Sequence, residues 1–260
     1  ITVGLSSGTS GNRGIFVTSD KESYMWAGAT LAKLLPGGIL RKHKVAFFMR
    51  ANSNLYQSVE SGRISFKFFD IYADMESHLD NLQNYRPNIL VGAPSVLLII
   101  AKAQKEGRIN IKPEKIISIA EVLEDEDKDY IEKVFGNRVH QVYQCTEGFL
   151  GCTCEHGTIH INEDIVKIEK EYIDDKRFYP IITDFCRISQ PIINYRLNDI
   201  LVEKKDGCKC GSPFMAIEKI EGREDDIFYI QSKDKGVVRV FPDFIRNAVI
   251  ASSDKIEQYQ

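Results

Sequence analysis

The sequence lacks an excess of either charge, a long apolar run and a bias toward glycine or proline. Its 260 residues carry 34 basic and 37 acidic side chains, a balance that argues against a protein that coats nucleic acid. The longest apolar run, residues 96–101, is far shorter than the roughly 18 residues needed to cross a bilayer. With only 18 glycines and 8 prolines, low-complexity and disordered chains are excluded. What is present is 43% apolar residues, enough for a large packed core.

Up to residue 143, apolar runs of strand length alternate with segments of helical period. This alternation predicts an α/β fold with a mostly parallel sheet and helices on its faces. The predicted strands are Thr2–Leu5 and residues 45–49, 65–69, 89–91, 116–119 and 139–143, and the predicted helices are residues 23–35, 75–85, 95–105 and 126–135. Ser19 or Asp20 is the predicted N-cap of the first helix. The short apolar runs, turns and cysteines after residue 143 predict a β-rich part, followed by a last helix at 242–251.

Small and polar residues follow five of the predicted strands. These are the segments 6–11, 50–54, 92–95, 120–121 and 144–148. Because the carboxyl ends of parallel strands share one edge of a sheet, where α/β proteins bind ligands, the five segments together predict one site. Each segment taken singly is better explained as an ordinary surface loop.

The first of these loops is rich in glycine and in hydroxyl groups. It consists of Ser6, Ser7, Gly8, Thr9, Ser10 and Gly11, with Arg13 and Gly14 close behind. Glycine lets backbone N–H groups turn inward around anionic oxygens, the hydroxyls add donors and Arg13 adds charge, so the loop is predicted to bind phosphate. It is not a Walker loop, because the Gly-Lys-Ser/Thr ending is missing. A linker or a hairpin turn is the alternative.

Together with three later segments, this loop resembles the motifs of the adenylate-forming superfamily of acyl and aryl coenzyme A ligases. The later segments are Tyr-Gln-Cys-Thr-Glu at 143–147, Tyr-Arg-Leu-Asn-Asp at 195–199 and Gly-Arg-Glu-Asp-Asp at 222–226. The chain departs from the motifs where Asn12 and Arg13 replace Pro-Lys, and where Gln144 and Asn198 replace glycine. Segments 50–56, 146–150, 159–164 and 208–211 are most similar to the phenylacetate–coenzyme A ligase branch, and particularly to deazaflavin coenzyme F synthetase-like proteins.

The resemblance implies a role for each matching side chain. Thr146 and Glu147 are the implied catalytic residues, since Thr146 would contact the α-phosphate and Glu147 would hold a Mg²⁺ ion between the phosphates. The implied nucleotide-binding residues beyond the phosphate loop are Ala120 and Glu121 at the adenine edge, Tyr143 stacked on adenine, and Asp199 on the ribose hydroxyls with Arg223 nearby. Taken singly, a glutamate in a loop such as Glu147 is usually solvated, and a tyrosine that ends a strand such as Tyr143 is usually a core residue.

The function that follows is the ATP-dependent activation of a carboxylic acid as an acyl-adenylate. The resemblance implies transfer of the acyl group to coenzyme A or another thiol, as in an acid–thiol ligase. One alternative is transfer of AMP to a hydroxyl of a deazaflavin, and another is a nucleotide-binding, zinc-stapled module without catalysis. We expect a cytoplasmic protein whose partners are small molecules, with no nucleic acid or membrane among them and with a homodimer among its oligomeric states.

The cysteines and histidines of the β-rich part suggest a metal site. Cys208, Cys210, Cys154 and His160 are the predicted ligands of a structural Zn²⁺ ion, and His156 is the alternative to His160. His160 is favoured because the family's Leu-His pattern falls there. The alternatives to a metal site are thiols buried as small hydrophobic residues, or a disulfide.

The resemblance also bears on the domain organisation. Residues 1–225 are predicted to form the large nucleotide-binding domain, with a βαβ part at 1–143 and a β-rich part at 144–225. Residues 226–260 are predicted to be a hinge and the start of an incomplete C-terminal domain, so that the chain is a fragment of the enzyme and the catalytic lysine lies outside it. The first strand, Thr2–Leu5, is accordingly expected to be a buried interior strand.

Overall fold

The structure is a computed structural model, and it describes residues 1–5, 14–49, 61–232, 236–241, 244–245, 248–249 and 252, with only the backbone of Leu5. Three predictions lie outside these residues in whole or in part. The predicted phosphate loop, Ser6, Ser7, Gly8, Thr9, Ser10 and Gly11 with Arg13, is outside them, and so is the motif at 50–56. Most of the predicted helix at 242–251 is outside them as well.

Twenty strands and α-helices have bounds within the described residues, and a 3₁₀ turn spans Glu224–Asp226. The helices are α1 (Asp20–Leu34), α2 (Met75–Tyr85), α3 (Pro94–Lys105) and α4 (Asp125–Phe135). The strands are β1 (Thr2–Leu5), β2 (Ile15–Thr18), β3 (His43–Met49), β4 (Ile64–Asp70), β5 (Ile89–Gly92), β6 (Lys115–Ser118), β7 (Val139–Cys145), β8 (Gly148–Thr153), β9 (Ile159–Ile161), β10 (Val166–Tyr172), β11 (Arg177–Asp184), β12 (Tyr195–Arg196), β13 (Asp199–Glu203), β14 (Ala216–Arg223), β15 (Phe228–Ser232) and β16 (Gly236–Val240).

Twelve of the described strands form one continuous mixed sheet. Its order is β10-β11-β13-β14-β9-β8-β7-β6-β5-β3-β4, and β12 pairs with β11 outside this path. The strands β4, β3, β5, β6 and β7 are parallel, whereas β7 pairs antiparallel with β8 and begins the β-rich half. The predicted fold class, a mostly parallel sheet with helices followed by a β-rich part, is confirmed.

Both faces of the parallel half are buried because helices cover them. Successive residues of β3 point to opposite faces, so Ala46 and Phe48 join the core under α2, α3 and α4. Val45 and Phe47 join a second core, which Leu34 of α1 completes from the other face. Strands buried on both faces carry continuous apolar runs, and this is why the sequence pattern located them.

Helix α1 begins where the sequence predicts a cap, and Ser19 is the residue that provides it. The Ser19 hydroxyl accepts a hydrogen bond from Glu22 N at 3.3 Å, and Glu22 Oε2 accepts one from Ser19 N at 2.6 Å. This reciprocal capping box satisfies two N–H groups that the first turn would otherwise leave unpaired. No helix among the described residues combines the length and apolar character needed to cross a membrane.

The expectation that Thr2–Leu5 is a buried strand of the parallel sheet is wrong. Among the strands of the described residues, β1 pairs only with β2, in an antiparallel two-stranded ribbon apart from the large sheet, and 66% of Val3 is exposed. A short apolar run can form a strand in a parallel sheet or in an isolated ribbon. Here the pairing with the apolar segment Ile15–Thr18 places it in the ribbon. At Gly4 a Cβ atom would lie 2.2 Å from Cζ of Phe16, so the glycine lets the Phe16 ring cross the partner strand.

Candidate nucleotide and acid site with a neighbouring cysteine and histidine cluster

The carboxyl edge of the parallel sheet carries the segment after β6 that the sequence predicts to face adenine. Strand β6 ends at Ser118, and Ala120 takes a left-handed backbone with φ of 68°. This conformation is unfavourable for a residue with a Cβ atom, and strained positions of this kind cluster at functional sites. Glu121 turns back to α3, where its Oε2 accepts a hydrogen bond from the Ser95 hydroxyl at 2.9 Å.

Tyr143, Asp199 and Arg223 meet at the centre of the site although they lie on three strands. The Tyr143 hydroxyl donates a hydrogen bond to Asp199 Oδ2 at 2.8 Å, and Arg223 Nε is 3.6 Å from Asp199 Oδ1. Asp199 and Arg223 are direct partners in the register of β13 and β14. Burial raises the pKa of Asp199 and raises that of Tyr143 well above its usual value. The carboxylate is therefore held between a phenol and a guanidinium in a largely dry setting.

Two of the resembling motifs are adjacent in space. Arg196 Nη1 pairs with Glu224 Oε2 at 2.8 Å, and Glu224 N donates to the Asn198 carbonyl at 2.7 Å. The Asn198 side chain donates to Asp225 Oδ2 at 3.3 Å. Segments 195–199 and 222–226 thus form one contiguous surface that ends at Asp199.

Thr146 and Glu147 form the turn between β7 and β8, three and four residues after Tyr143. The Thr146 carbonyl accepts a hydrogen bond from Arg187 Nη1 at 2.7 Å. Burial raises the pKa of the neighbouring Cys145 thiol well above its usual value, and the Glu147 carboxylate adds to this shift. A thiol with a raised pKa is a poor nucleophile, so Cys145 acts as a small packed residue.

A cavity of about 170 Å³ lies between α1 and the face of the parallel sheet. Its walls are apolar and include Leu31, Leu34, Phe47, Val91, Ile117 and Val142. Ala120 and Gln144 line its end at the carboxyl edge, where Trp26 Nε1 donates to Gln144 Oε1 at 3.3 Å. The hydroxyl of Thr30 is buried in the wall and has no hydrogen-bond partner in the described part of the chain. The cavity therefore reaches the strained Ala120.

Cys154, His160, Cys208 and Cys210 form a compact cluster at the far end of β8 and β9. One ligand atom from each lies within 4.8 Å of all the others. The Cys154 and Cys208 sulfurs are 3.6 Å apart, and Cys210 Sγ is 3.3 Å from His160 Nε2. The structure thus brings together the four predicted ligands, and His156 is not in the cluster.

The chemistry of this donor set fits Zn²⁺. Three thiols and one imidazole are a common tetrahedral set for a structural zinc ion. His160 Nδ1 lies 3.0 Å from the Phe214 carbonyl, so its proton goes there and Nε2 faces the sulfurs with a free electron pair. The pKa of the Cys208 thiol is lowered to about 5, first by the backbone N–H of Cys210 and then by Thr158 and His160. A thiolate is the form that binds metal.

Several residues that shape the site were not predicted. Arg187, Gln190 and Glu22 connect the β1–β2 ribbon, α1 and the Thr146 turn, and Trp26 and Thr30 line the cavity. None of them lies in a motif, and their contacts span up to 175 residues of sequence. Only the helical period of α1 could have pointed to Thr30, since it lies one turn from Leu34 on the same face.

Comparisons with known proteins agree with this fold. Protein CapK of Staphylococcus aureus is 28% identical over 204 residues, which are 76% of this chain and 43% of CapK. Indoleacetate–lysine synthetase of Pseudomonas savastanoi is 28% identical over 149 residues, which are 54% of this chain and 36% of the synthetase. No protein-family profile matches.

Solved structures extend the likeness to nearly the whole chain. A 2-hydroxyisobutyryl-CoA ligase, in its postadenylation state in complex with R3-HIB-AMP, superposes with a TM-score of 0.75 at 18% identity, over 98% of this chain and 57% of the ligase. The chain therefore has the fold of the adenylate-forming acyl- and aryl-CoA ligases, as the resemblance implied. It spans less than half the length of the two curated relatives and 57% of this ligase.

Proposed function

We propose that the protein uses ATP to activate a carboxylic acid as an acyl-adenylate. A carboxylate oxygen of the acid attacks the α-phosphorus of ATP, the bond to the bridging oxygen breaks, and pyrophosphate leaves. The observation that carries this proposal is the convergence of two features at one edge of the sheet. The Tyr143–Asp199–Arg223 group offers an acceptor for a ribose, and the apolar cavity lined at one end by Ala120 offers space for an acid.

At the nucleotide end, Asp199 is the acceptor for the ribose hydroxyls. Tyr143 uses its single hydroxyl proton to hold Oδ2, and Arg223 faces Oδ1. Because only 5% of Tyr143 is exposed, its part in our proposal is to orient Asp199 as well as to border the adenine. Ala120 and Glu121 form the adenine edge, with Glu121 fixed by Ser95.

At the phosphate end, Thr146 and Glu147 are the proposed catalytic residues. The Thr146 hydroxyl would donate to an α-phosphate oxygen, and this interaction strengthens as charge grows in the transition state. Glu147 would hold Mg²⁺, which neutralises phosphate charge when it is bound. The loop of residues 6–13 remains the predicted anchor for the outer phosphates.

At the acid end, the volume of the cavity limits the substrate. An engineered cavity of about 150 Å³ lined by leucine, isoleucine and phenylalanine accommodates benzene, so a cavity of about 170 Å³ fits one aromatic ring or a branched acid of similar size. The buried hydroxyl of Thr30 favours an acid with one polar substituent on that ring, because it has no partner of its own among the described residues. A long fatty acid does not fit.

The acceptor of the acyl group is proposed to be a thiol such as that of coenzyme A. An amine is the second candidate. It is favoured because one curated relative is an indoleacetate–lysine synthetase, an enzyme named for joining an acid to an amino acid. Product analysis with each acceptor separates the two.

The cysteine and histidine cluster is proposed to hold a structural zinc ion. It joins the turn after β8, strand β9 and the connection between β13 and β14, so that one ion would fasten three segments of the β-rich half. Its role is to stabilise the β13–β14 pair, which carries Asp199 and Arg223.

ATP–pyrophosphate exchange with a panel of acids tests the proposed function. We expect exchange with single-ring aryl acids and branched acids, and none with decanoate. The variant Val91→Phe places a larger side chain in the wall and so reduces the volume of the cavity. It should abolish exchange, while AMP binding, measured by calorimetry, stays at the wild-type level. Retained AMP binding without exchange for any acid would contradict the proposal and favour a non-catalytic nucleotide-binding module.

A further inference from the structure

The segment of residues 184–190, which begins at the last residue of β11, is fixed in place by two buried carboxylates. Asp184 Oδ1 accepts hydrogen bonds from Cys186 N at 2.7 Å and from Arg187 N at 3.1 Å. Glu22, on the first turn of α1, accepts one from Ser189 N at 2.7 Å. The 184–190 segment is therefore anchored both to the end of β11 and to the start of α1.

The Arg187 side chain reaches from this segment to two parts of the proposed ATP site. Its Nη1 donates to the Thr146 carbonyl at 2.7 Å, and its Nη2 donates to the Val17 carbonyl of β2 at 3.4 Å and to Gln190 Oε1 at 3.0 Å. Gln190 in turn accepts from Val17 N at 3.0 Å. One guanidinium thus bridges the turn that carries Thr146 and Glu147 and the ribbon that leads out of the predicted phosphate loop.

The bridge is tight as well as polar. At Gly148, which ends the Thr146 turn, a Cβ atom would lie 3.0 Å from Asp184 Oδ2. Arg187 Nε is buried, so this side of the guanidinium is shielded from water. The planar guanidinium of arginine can donate to two carbonyls at once and so fix the angle between them. The ammonium group of lysine is a single point charge and does not fix such an angle.

We propose that Arg187 is a positioning residue that sets the Thr146–Glu147 turn against the β1–β2 ribbon, so that both ends of the triphosphate are held in line for attack. This inference rests on the proposed function. Arg187 acts through backbone carbonyls, because its two Nη groups are used on Thr146, Val17 and Gln190. Displacement of a catalytic group by about 1 Å costs on the order of 100-fold in rate, so loss of the bridge should lower kcat more than it raises KM.

The variants Arg187→Lys and Arg187→Met test the proposal, with Arg108→Lys as the matched control. Arg108 is an exposed arginine paired with Glu106 and Glu76, on the opposite side of the sheet from α1. We expect kcat for pyrophosphate exchange to fall at least tenfold in both Arg187 variants, with KM for ATP within about threefold of wild type. Lysine keeps the charge, so full activity in Arg187→Lys would overturn the proposal by showing that charge alone suffices. A tenfold rise in KM with unchanged kcat would overturn it too.

Hydrogen exchange of the backbone amides provides a readout that does not depend on turnover. In Arg187→Lys the amides of residues 145–148 and 15–18 should exchange faster, while those of α3 and α4 keep the wild-type rate. Unchanged exchange at 145–148 would overturn the bridge, and faster exchange combined with wild-type kcat would overturn its role in positioning. If wild-type protein shows no pyrophosphate exchange with any acid, the proposed function fails, and hydrogen exchange alone then decides the bridge.

Discussion

At the scale of single residues, the Asp199 carboxylate is the centre of the proposed nucleotide site. It is 14% exposed, faces a phenol and a guanidinium, and lies where the ribose-binding aspartate of the resembling motif is expected. A buried carboxylate costs desolvation energy, so a protein retains one where the charged or accepting form is used. A substitution of Asp199 is therefore expected to change the affinity for a nucleotide.

We predict that Asp199→Asn weakens AMP binding by about 10- to 100-fold, because a charge-assisted acceptor for two hydroxyls is lost, worth roughly 1.5–3 kcal/mol. Calorimetric titration of AMP measures the change. Asp175→Asn, in an exposed turn, serves as the control and should bind AMP as the wild type does. Equal affinity in both variants would remove Asp199 from the site.

The pH dependence of binding provides a second prediction for the same residue. Burial raises the pKa of Asp199, so its carboxyl group takes up a proton at a higher pH than an ordinary aspartate. AMP affinity should fall as the pH drops through this raised pKa, since only the ionised form accepts both ribose hydroxyls. The midpoint of that fall, measured by titrating AMP across the acid range, should lie above the usual pKa of aspartate and disappear in Asp199→Asn.

Ala120 allows a prediction about strain. Its φ of 68° favours glycine, and a β-branched side chain is least tolerated there. We expect Ala120→Val to lower the free energy of unfolding by at least about 1 kcal/mol, and Ala120→Gly to leave it unchanged or slightly raised. Urea denaturation measures both. A destabilised glycine variant would contradict the assigned backbone conformation.

At the scale of elements, hydrogen bonds in helix caps and turns fix the positions of the segments around the proposed site. Glu22 belongs both to the capping box of α1 and to the anchor of the 184–190 segment. Burial acts to raise its pKa, but hydrogen bonds from Ser189, Ser19 and Ile188 outweigh it and hold the pKa well below the usual range. Relative to the protonated form, the ionised form of Glu22 is therefore more stable in the folded protein than in the unfolded chain.

From this shift we predict a pH-dependent loss of stability in Glu22→Gln. A group whose pKa is lowered by folding stabilises the protein above its ordinary pKa, and this contribution is lost as the pH falls below that value. The variant should be less stable than wild type by about 2 kcal/mol near neutral pH, with a smaller difference at about pH 3.5. Thermal unfolding at the two pH values provides the comparison, and an equal difference at both would mean that the carboxylate charge is not what stabilises the fold.

The cysteine and histidine cluster leads to an element-scale prediction about metal content. Purified protein should contain about one equivalent of zinc, and Cys210→Ser should lose most of it and unfold at a lower temperature, because a structural zinc ion contributes directly to folding. Cys186→Ser, which alters a thiol outside the cluster, should keep both zinc and stability. Elemental analysis and thermal unfolding test the two variants together. Less than half an equivalent in the wild type would count against the site.

At the scale of the whole molecule, the sheet brings the parts of the proposed site to one edge. Strand β7 is the junction, since it is parallel to β6 and antiparallel to β8 and carries Tyr143 toward β13. If the proposed site binds both nucleotide and acid, the two ligands should stabilise the fold by mass action. Saturation at about 100 times the dissociation constant is worth about 2.7 kcal/mol, so AMP together with a single-ring acid should raise the unfolding temperature more than AMP alone.

The sequence located most elements because their periods are local. Helix α2 matches its prediction, and β3 and β4 differ from theirs by one or two residues at the ends. Strand β6 ends one residue earlier than predicted because Ala120 leaves the extended region. Strand β1 was assigned to the wrong sheet, since a short apolar run does not encode its partner.

By itself the sequence determined the α/β order, the β-rich second half and the residue types at the carboxyl edge, because these depend on periods and turns a few residues long. Only the tertiary structure decided that Tyr143 bonds Asp199 across 56 residues and that His160, not His156, joins the three cysteines of the cluster. It also decided that Arg187 bridges Thr146 and Val17. Such contacts depend on strand order and register, which are set by packing over the whole sheet and leave no local pattern in the chain.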